Sequence, residues 1–309
     1  MRILFMGTPD FAVPCMERLI ADGHEVVGAV TQPDKPRGRG QKLMPPPVKE
    51  LAITHNIEVF QPQTLKNEGF LPELTRLDPE LVVVVAYGKF LPNYILNYPQ
   101  YGCINVHASL LPKYRGAGPI QWCIINGETE SGVSTMFMGE TLDGGDVILQ
   151  SKTPIGEEET AGELFDRLSF MGADLLSETV TLIEAGNATR EVQDDALACY
   201  APMVTRETGK IDWSKDAKTI CNLVRGTNPW PMAQTLYQDV PLKIIHATRG
   251  EDAQGKCGEI LAVSKKGILI ACGGGETLLV DEIQMQGGKR MQVCDYINGH
   301  EIAVGTVLQ

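Results

Sequence analysis

Apolar runs alternate with amphipathic segments through the first half of the chain. MRILFMG, HEVVGAVTQ, LVVVVAYG (residues 81–88), GCINVH and GVSTMFMG each have the pattern of a strand. LVVVVAYG is almost entirely apolar, which is typical of a strand covered on both faces. TPDFAVPCMERLIADG, between the first two strands, has the pattern of a helix that ends at Gly23. This alternation through about residue 150 predicts βαβ units and a parallel sheet.

A longer amphipathic segment follows. Residues 160–185 keep apolar positions at helical spacing, Thr160 and Glu163 have the spacing of a capping box, and Gly186 follows the end. The periodicity is then lost. We therefore predict a first domain over residues 1–188 and a linker over residues 189–205.

The remaining chain, residues 206–309, has a different pattern. DWSKDAKTICNLVRG predicts a short helix, and short strands such as PLKIIHATRG, CGEILAVS and GILIACGGG follow it, separated by glycines and charged turns. Many short strands of this kind are typical of a small β-barrel. The fold class predicted from the pattern is therefore α/β, with a barrel domain after the parallel sheet.

One segment fits neither pattern. TQPDKPRGRGQKLMPPPVK (residues 31–49) is too rich in Pro and Gly to be predicted as a helix or a strand, and it carries five basic residues against one acidic residue. Long loops in compact domains are usually functional or disordered.

Composition places the chain among ordinary soluble globular proteins, with 43% hydrophobic and 21% charged residues in 309 positions. MRILFMG is far too short for a signal peptide or a membrane span, so we expect a cytoplasmic protein. The eight cysteines include no CxxC pair, so reduced, mostly buried thiols are expected rather than a metal or redox site.

The net charge of −12 comes from one segment. Residues 128–195 carry 3 basic and 16 acidic side chains, whereas residues 1–127 carry 12 and 11 and residues 196–309 carry 12 of each. The acidic total therefore does not exclude a nucleic-acid partner, because local basic patches remain available for phosphate in the two neutral regions.

Two polar side chains stand at the end of the strand GCINVH. In an open parallel sheet, ligands bind beyond the carboxyl ends of the strands. Asn105 and His107 are two residues apart, so both would point to one face and reach one ligand. An amide and an imidazole suit an oxygen atom that gains negative charge in a reaction. A hydrogen-bonded pair that only closes a loop has the same pattern, and spacing alone leaves both interpretations open.

ETLDGGDVIL (residues 140–149) offers a carboxylate partner for the histidine. Asp143 precedes two glycines, so it is either a turn residue or, if it lies near His107, a group that orients the imidazole in acid–base catalysis. Asp146 is a competing carboxylate, and the local sequence does not separate the two.

Protein nucleophiles and nucleotide cofactors find little support. Ser109 is followed by LLP rather than completing a GxSxG elbow, and Cys103 is expected to be buried in its strand. No segment matches GxGxxG or GxxxxGK[ST]. The predicted chemistry is direct attack by an external nucleophile on an activated carbonyl.

GCINVHASLLPKYRGAGPIQW, together with LDGGD, resembles the formyltransferases that use 10-formyltetrahydrofolate. FMGTPDFAVP, VVGAVTQPDKPRGRGQKLMPPPVK, VVVVAYGKFLP and NPWPMA are similar to the members that act on methionyl-tRNA. The resemblance is most specific over residues 1–150. It implies a Rossmann-like formyltransferase domain with a mostly parallel sheet, followed by an OB-like barrel that binds tRNA. It also implies formyl transfer from 10-formyltetrahydrofolate to the α-amine of initiator methionyl-tRNA for translation initiation, without a metal. We expect a monomer.

The resemblance carries roles to individual positions. Asn105, His107 and Asp143 fall on the family's catalytic Asn, His and Asp. The positions that fall on its two folate-binding segments are Ser109, Leu110, Leu111, Pro112, Tyr87, Gly88, Lys89 and Phe90. The last two stand where apolar residues are common in the family, which is a departure from its pattern.

The basic loop is the expected tRNA contact. In the members that act on tRNA, this loop is an insertion that enters the acceptor end, and Arg39 matches the family's loop arginine. The expected contacts are Lys35, Arg37, Arg39 and Lys42. Glycine and proline between them give an adaptable backbone beside the charge, which suits a phosphate ribbon.

The three catalytic positions do not identify the acceptor. The same set serves glycinamide ribonucleotide formyltransferase and sugar-nucleotide formyltransferases, and formyltetrahydrofolate hydrolase uses water instead. A protein that binds folate or tRNA without catalysis is a further hypothesis. The features that favour tRNA are the loop at residues 31–49 and the second domain.

Overall fold

The computed structural model describes residues 1–37 and 42–309. Contacts within the chain divide it into two compact units. The first comprises Met1–Pro119, Glu130–Thr153 and Phe165–Pro202, and the second comprises Ile120–Thr129, Pro154–Leu164 and Met203–Gln309. The predicted division into residues 1–188, 189–205 and 206–309 stays a prediction.

The strands up to residue 202 are β1 (Arg2–Gly7), β2 (Glu25–Val30), β3 (Lys35–Arg37), β4 (Lys42–Met44), β5 (Val59–Phe60), β6 (Leu81–Val85), β7 (Cys103–His107), β8 (Arg115–Gly116), β9 (Glu130–Phe137), β10 (Val147–Pro154) and β11 (Tyr200–Ala201). The helices are α1 (Val13–Ala21), α2 (Pro47–Thr54), α3 (Leu71–Leu77), α4 (Asn93–Leu96), α5 (Pro119–Ile125) and α6 (Ala161–Glu184). Short 3₁₀ turns span Asp10–Ala12 and Asp195–Leu197.

The main sheet has seven strands in the order β10-β9-β7-β6-β1-β2-β5. β5, β2, β1, β6 and β7 run parallel, and β9 pairs antiparallel with β7. The prediction of a mostly parallel sheet is therefore confirmed. All five residues of β6 are buried, as its continuous apolar sequence predicted. A strand without a polar face needs cover on both sides, which helices supply in a parallel sheet.

The carboxyl ends of the parallel strands meet at one edge. Gln32, just after β2, donates from its side chain to the Tyr87 carbonyl after β6 at 3.0 Å. Its backbone N–H donates at 3.2 Å to the hydroxyl of Thr8, which follows β1. Side-chain bonds therefore lock the ends of three strands together at the edge where ligands bind in such sheets.

The predicted helices form with small changes at their starts. The segment after β1 opens as the turn Asp10–Ala12 before α1 begins, and Gly23 ends it with a φ of +84°. Before α6, Thr160 and Glu163 form the predicted capping box, with the Thr160 N–H donating to Glu163 Oε2 at 2.9 Å. Hydrogen bonds from Thr160 lower the pKa of Glu163 below its usual value.

The expectation that residues 31–49 contain no helix or strand is wrong, because two short strands and the start of a helix lie within them. β3 and β4 pair antiparallel, and α2 begins at Pro47. Proline is favoured at the start of a helix because the N–H it lacks has no partner there. Lys49 of α2 reaches Asp34 Oδ1 at 2.8 Å and lowers the pKa of that carboxyl. This pair fixes the base of the hairpin to the helix.

The second unit contains α7 (Ala217–Gly226), β12 (Ala233–Tyr237), β13 (Val240–Arg249), β14 (Ile260–Ser264), β15 (Gly267–Ala271), β16 (Thr277–Met285), β17 (Met291–Gln292) and α8 (Val293–Tyr296), with 3₁₀ turns at Glu207–Gly209 and Gly273–Gly275. The strand order is β12-β13-β16-β15-β14, and β17 pairs with β16. The paired strands run antiparallel.

The chain terminus closes this sheet into a barrel. Leu236 of the edge strand β12 exchanges two backbone hydrogen bonds with Gln309, at 2.7 and 3.1 Å. At the other edge, the Ile260 N–H of β14 donates to the Thr306 carbonyl at 2.9 Å. The last residues thus bridge both edges, which agrees with the predicted small barrel.

No helix in the described part of the chain is both long enough and apolar enough to cross a membrane.

Candidate active site

The polar end of β7 lies at the carboxyl edge of the sheet, as predicted. Asn105 and His107 are buried, with 8% and 6% of their surface exposed. The Asn105 side chain makes no hydrogen bond to any residue that the structure describes. A buried amide normally has a partner, so an unpaired one at this edge is suited to a ligand.

His107 has a fixed orientation. Its Nε2 lies 2.9 Å from the Tyr114 carbonyl oxygen. Because a carbonyl only accepts, Nε2 carries the proton in this bond. The other ring nitrogen, Nδ1, lies 3.8 Å from Asp143 Oδ2. Nδ1 is therefore the nitrogen that can exchange a proton with a ligand or with a bridging water.

The structure separates the two candidate carboxylates. Asp143 faces His107, and its Oδ2 accepts a 2.8 Å hydrogen bond from the Gly116 N–H. Asp146 instead pairs with Arg190 at 3.4 Å. The backbone of Asp143 is left-handed, with a φ of +50°, a conformation that costs energy for a residue with a side chain.

Sequence reasoning missed the groups that hold this carboxylate. Gln193, in the predicted linker, donates to the Asp143 carbonyl at 2.8 Å and to the Gly145 carbonyl at 2.7 Å. Gly116 supplies the bond to the carboxylate itself. Neither residue carries a local signal for this role, because each contact spans a long stretch of chain.

The segment from Ser109 to Pro112 is held by its neighbours. Ser134 donates its hydroxyl to the Ser109 carbonyl at 2.6 Å and accepts from the Leu111 N–H at 3.1 Å. Gln150 donates to the Leu111 carbonyl at 2.8 Å. Leu110, half-buried, lies over Gly132, where a Cβ would come within 2.5 Å of its side chain. The loop after His107 is thus fixed from two neighbouring strands.

The other predicted folate segment, Tyr87 to Phe90, exposes its backbone. Tyr87 is buried, and burial raises the pKa of its hydroxyl to about 12. Gly88 is exposed with a φ of +80°, whereas the Phe90 side chain is 70% exposed. Lys89 donates to the Pro62 and Gln63 carbonyls, each at 3.0 Å. Its ammonium group therefore anchors the segment to the loop after β5.

The predicted lack of a protein nucleophile agrees with the site chemistry. Burial raises the pKa of the Cys103 thiol to about 12, so it is not a thiolate near neutral pH. The Ser109 hydroxyl donates to the Lys113 carbonyl at 2.7 Å. In the part of the chain that the structure describes, His, Cys, Asp and Glu side chains form no group of three suited to a metal ion.

The basic loop is only partly described. Lys35 is exposed on β3. Arg37 of β3 and Lys42 of β4 lie opposite each other in the backbone register of the hairpin. The predicted contact Arg39 lies outside the described residues.

Two segments of the chain match known protein families. Residues 1–180 match the formyl transferase family, and residues 203–301 match the formyl transferase C-terminal domain. The chain belongs to the formyl transferase family. Relatives named methionyl-tRNA formyltransferase occur in Alkaliphilus oremlandii, 54% identical over 100% of this chain and 99% of the relative, and in Clostridioides difficile, 52% identical over the full length of both.

Solved structures share the fold. An N-formyltransferase from Helicobacter canadensis, in complex with folinic acid and dTDP-3-aminofucose, superposes with a TM-score of 0.69 over 92% of this chain and 98% of its own, at 20% identity. HypX from Aquifex aeolicus, in complex with tetrahydrofolic acid, gives a TM-score of 0.63 over 99% of this chain and 50% of its own, at 16% identity.

The two aspartates of the 140–149 segment give the first test of the site. Asp143→Asn keeps an oxygen for the Gly116 N–H but removes the charge beside His107. We expect formyl transfer to fall by about 10²- to 10⁴-fold, the usual range for a group that assists proton transfer. Asp146→Asn, the same change three residues on, is expected to leave the rate within about threefold, because this carboxylate pairs with an exposed arginine. Steady-state rates of both variants check the prediction, and equal losses would contradict it.

Proposed function

We propose that this chain transfers the formyl group of 10-formyltetrahydrofolate to the α-amine of initiator methionyl-tRNA, the modification that prepares that tRNA for translation initiation. The observation that carries the proposal is full-length similarity to relatives named methionyl-tRNA formyltransferase, at 54% identity over 100% of this chain. The buried amide and imidazole at the sheet edge, with the partly buried carboxylate beside them, supply groups suited to that reaction.

The first step is attack by the amine on the formyl carbon. A C–N bond forms, and the formyl oxygen becomes the oxyanion of a tetrahedral intermediate. An α-amine titrates near neutrality, so its neutral form is available as the nucleophile. Asn105 donates to the oxyanion from its unpaired amide, and this is supported by its burial, because a hydrogen bond to a charged oxygen is strongest away from water.

His107 and Asp143 take up and transfer the proton of the attacking amine. Since Nε2 of His107 already donates to the Tyr114 carbonyl, Nδ1 is the nitrogen that serves the reacting groups. The 3.8 Å separation between Nδ1 and Asp143 Oδ2 is longer than a direct hydrogen bond, so both atoms are available to a water or an amine that approaches them from the side. The amine loses its proton through this pair, and that proton is passed on to N10 of the folate. The C–N10 bond breaks as the oxyanion collapses to the new formamide, and tetrahydrofolate leaves with the proton on N10.

Folate is proposed to lie between the two fixed segments of the edge, Ser109 to Pro112 and Tyr87 to Phe90. The backbone of each segment is held by a side-chain hydrogen bond from a neighbouring element, from Gln150 to the Leu111 carbonyl and from Gln32 to the Tyr87 carbonyl. Fixed donors and acceptors suit a flat, polar heterocycle, because little conformational freedom is lost on binding.

The tRNA is proposed to meet the basic hairpin and the barrel. Lys35, Arg37, Arg39 and Lys42 are proposed contacts to the acceptor end, and the Lys49–Asp34 pair supports them by fixing the base of the hairpin. We further propose a catalytic domain over residues 1–188, a linker over 189–205 and a tRNA-binding domain over 206–309, acting as a monomer in the cytoplasm.

The acceptor is tested by comparing three substrates with 10-formyltetrahydrofolate as donor: methionyl-tRNA, free methionine and an amino-sugar nucleotide. We expect rapid formylation of methionyl-tRNA only, because the hairpin and barrel add binding energy that a small amine cannot use. Asn105→Ala and His107→Ala should each lower the rate by about 10²- to 10³-fold.

Two results would contradict the proposal. Turnover of the sugar nucleotide without turnover of methionyl-tRNA would assign the chain to another acceptor. Unchanged activity in both alanine variants would remove the catalytic role from the sheet edge.

The hairpin has its own test. Arg39→Ala is expected to raise the KM for methionyl-tRNA about tenfold, because one charged phosphate contact is lost, while the dissociation constant for folate stays unchanged. Arg76→Ala is a matched control, because Arg76 is an exposed arginine of the same unit that pairs with Glu58. Equal effects of Arg39→Ala on folate and on tRNA would indicate a structural role for the loop instead.

A further inference from the structure

The stretch from Arg190 to Ala201, here called the strap, contacts the chain on both sides of the catalytic carboxylate. On one side, Glu191 and Val147 exchange two backbone hydrogen bonds at 2.8 and 2.9 Å, just beyond the turn that carries Asp143. On the other side, the strap forms β11, which pairs with β8 so that Ala201 lies opposite Gly116. The strap therefore touches both loops that meet at Asp143.

The β8 side of the strap leaves no room for movement. A Cβ on Gly116 would lie 2.6 Å from the Ala201 carbonyl oxygen, and its φ is +115°. The Arg115 N–H donates to the Cys199 carbonyl at 2.9 Å. The Gly116 N–H is thereby aimed at Asp143 Oδ2, its partner at 2.8 Å.

On the other side, one side chain holds the backbone of the aspartate turn. Gln193 Nε2 donates to the Asp143 carbonyl at 2.8 Å and to the Gly145 carbonyl at 2.7 Å, so both amide hydrogens are used on one turn. The turn is close-packed on its far side, because a Cβ on Gly145 would lie 1.8 Å from the Phe137 carbonyl. The left-handed φ of Asp143 is therefore held by bonds on one side and by contact on the other.

The Gln193 amide is itself oriented. Its Oε1 accepts two hydrogen bonds from the Arg115 guanidinium, from Nε at 3.1 Å and from a terminal nitrogen at 2.9 Å. A guanidinium only donates, so these bonds fix which end of the amide is oxygen and direct the NH₂ group at the two carbonyls. The same arginine pairs with Asp195 of the strap at 2.8 Å.

We propose that Gln193 is a positioning residue for the formyl-transfer reaction, which sets the Asp143 carboxylate against His107 by clamping the carbonyls of Asp143 and Gly145. The inference rests on the proposed function, since it assigns Gln193 to the reaction through Asp143. Gln193 lies in the proposed linker, so this part of the linker also orders the turn that carries Asp143.

Two substitutions distinguish the hydrogen bonds of the Gln193 side chain from its packing. Gln193→Met keeps the length of the side chain and removes all its hydrogen bonds. Gln193→Glu keeps the acceptors for Arg115 but has no hydrogen to donate to the carbonyls when ionised. Thr181→Val is the control, because the exposed Thr181 hydroxyl also donates to a backbone carbonyl, that of Ser177 at 2.9 Å, on α6 of the same unit.

The kinetic measurement is a double-mutant cycle on kcat with methionyl-tRNA and 10-formyltetrahydrofolate. Both Gln193 variants are expected to lower kcat about tenfold or more, with an unchanged KM for folate. In an Asp143→Asn background the same changes should cost less than about twofold, because the group that they position no longer acts. Thr181→Val is expected to leave kcat unchanged in both backgrounds. Equal losses with and without the Asp143 carboxylate would overturn the proposal, as would full activity of Gln193→Glu.

Amide hydrogen exchange gives a readout that does not depend on turnover. Peptides that cover residues 114–118 and 143–147 are expected to exchange faster in Gln193→Met than in the unmodified protein, because the Gly116 N–H loses its fixed acceptor. Unchanged amide exchange in Gln193→Met would contradict the positioning role of Gln193, even if the enzyme is active. Absence of turnover in the unmodified protein, with faster exchange in the variant, would contradict the proposed function and leave the clamp standing.

Discussion

The 2.8 Å hydrogen bond from the Gly116 N–H to Asp143 Oδ2 joins the two loops that enclose His107. The first loop carries the Tyr114 carbonyl, which accepts a hydrogen bond from Nε2 of His107. The second loop places the Asp143 carboxylate near Nδ1 of the same ring. A carboxylate at this depth needs donors, since an unsatisfied buried charge costs several kcal/mol. The Gly116 N–H supplies one such donor, and Gln193 of the strap holds the backbone of the same turn through the carbonyls of Asp143 and Gly145.

The sheet explains why the site lies where it does. Parallel pairing brings the carboxyl ends of β1, β2, β6 and β7 to one edge, and polar side chains such as Thr8 and Gln32 begin where the buried strands end. Fixed backbone segments then follow β6 and β7. The first family match, over residues 1–180, includes all of these stretches, and the second, over residues 203–301, includes most of the antiparallel strands that follow.

Much of this was predictable from the sequence, and the exceptions have a common cause. Apolar runs predicted the strands of the main sheet, and spacing placed Asn105 and His107 on one face. The choice between Asp143 and Asp146 was not predictable, because it depends on contacts to Gly116 and Gln193, which lie 27 and 50 residues away from Asp143. A local sequence pattern carries no information on contacts between residues that are this far apart along the chain.

The contacts of the strap and of the hairpin were also not predictable from the local sequence pattern. Residues 189–205 lack periodicity, so they were predicted as a linker, yet Gln193 and Ala201 hold the site. The hairpin of β3 and β4 was missed because proline and glycine normally break strands, whereas here its pairing is supported by the Lys49–Asp34 contact at its base. In both cases tertiary contacts overrode local preference.

The most direct test of the central claim, that the carboxyl edge of β6 and β7 holds the formyl group, is a crystal structure with a stable analogue of 10-formyltetrahydrofolate that keeps the formyl group on N10. The account predicts that the formyl oxygen lies within about 3.5 Å of Asn105 Nδ2, and that the pterin lies along Tyr87 to Phe90. A formyl group bound out of reach of both Asn105 and His107, with the enzyme active in the crystal, would contradict it.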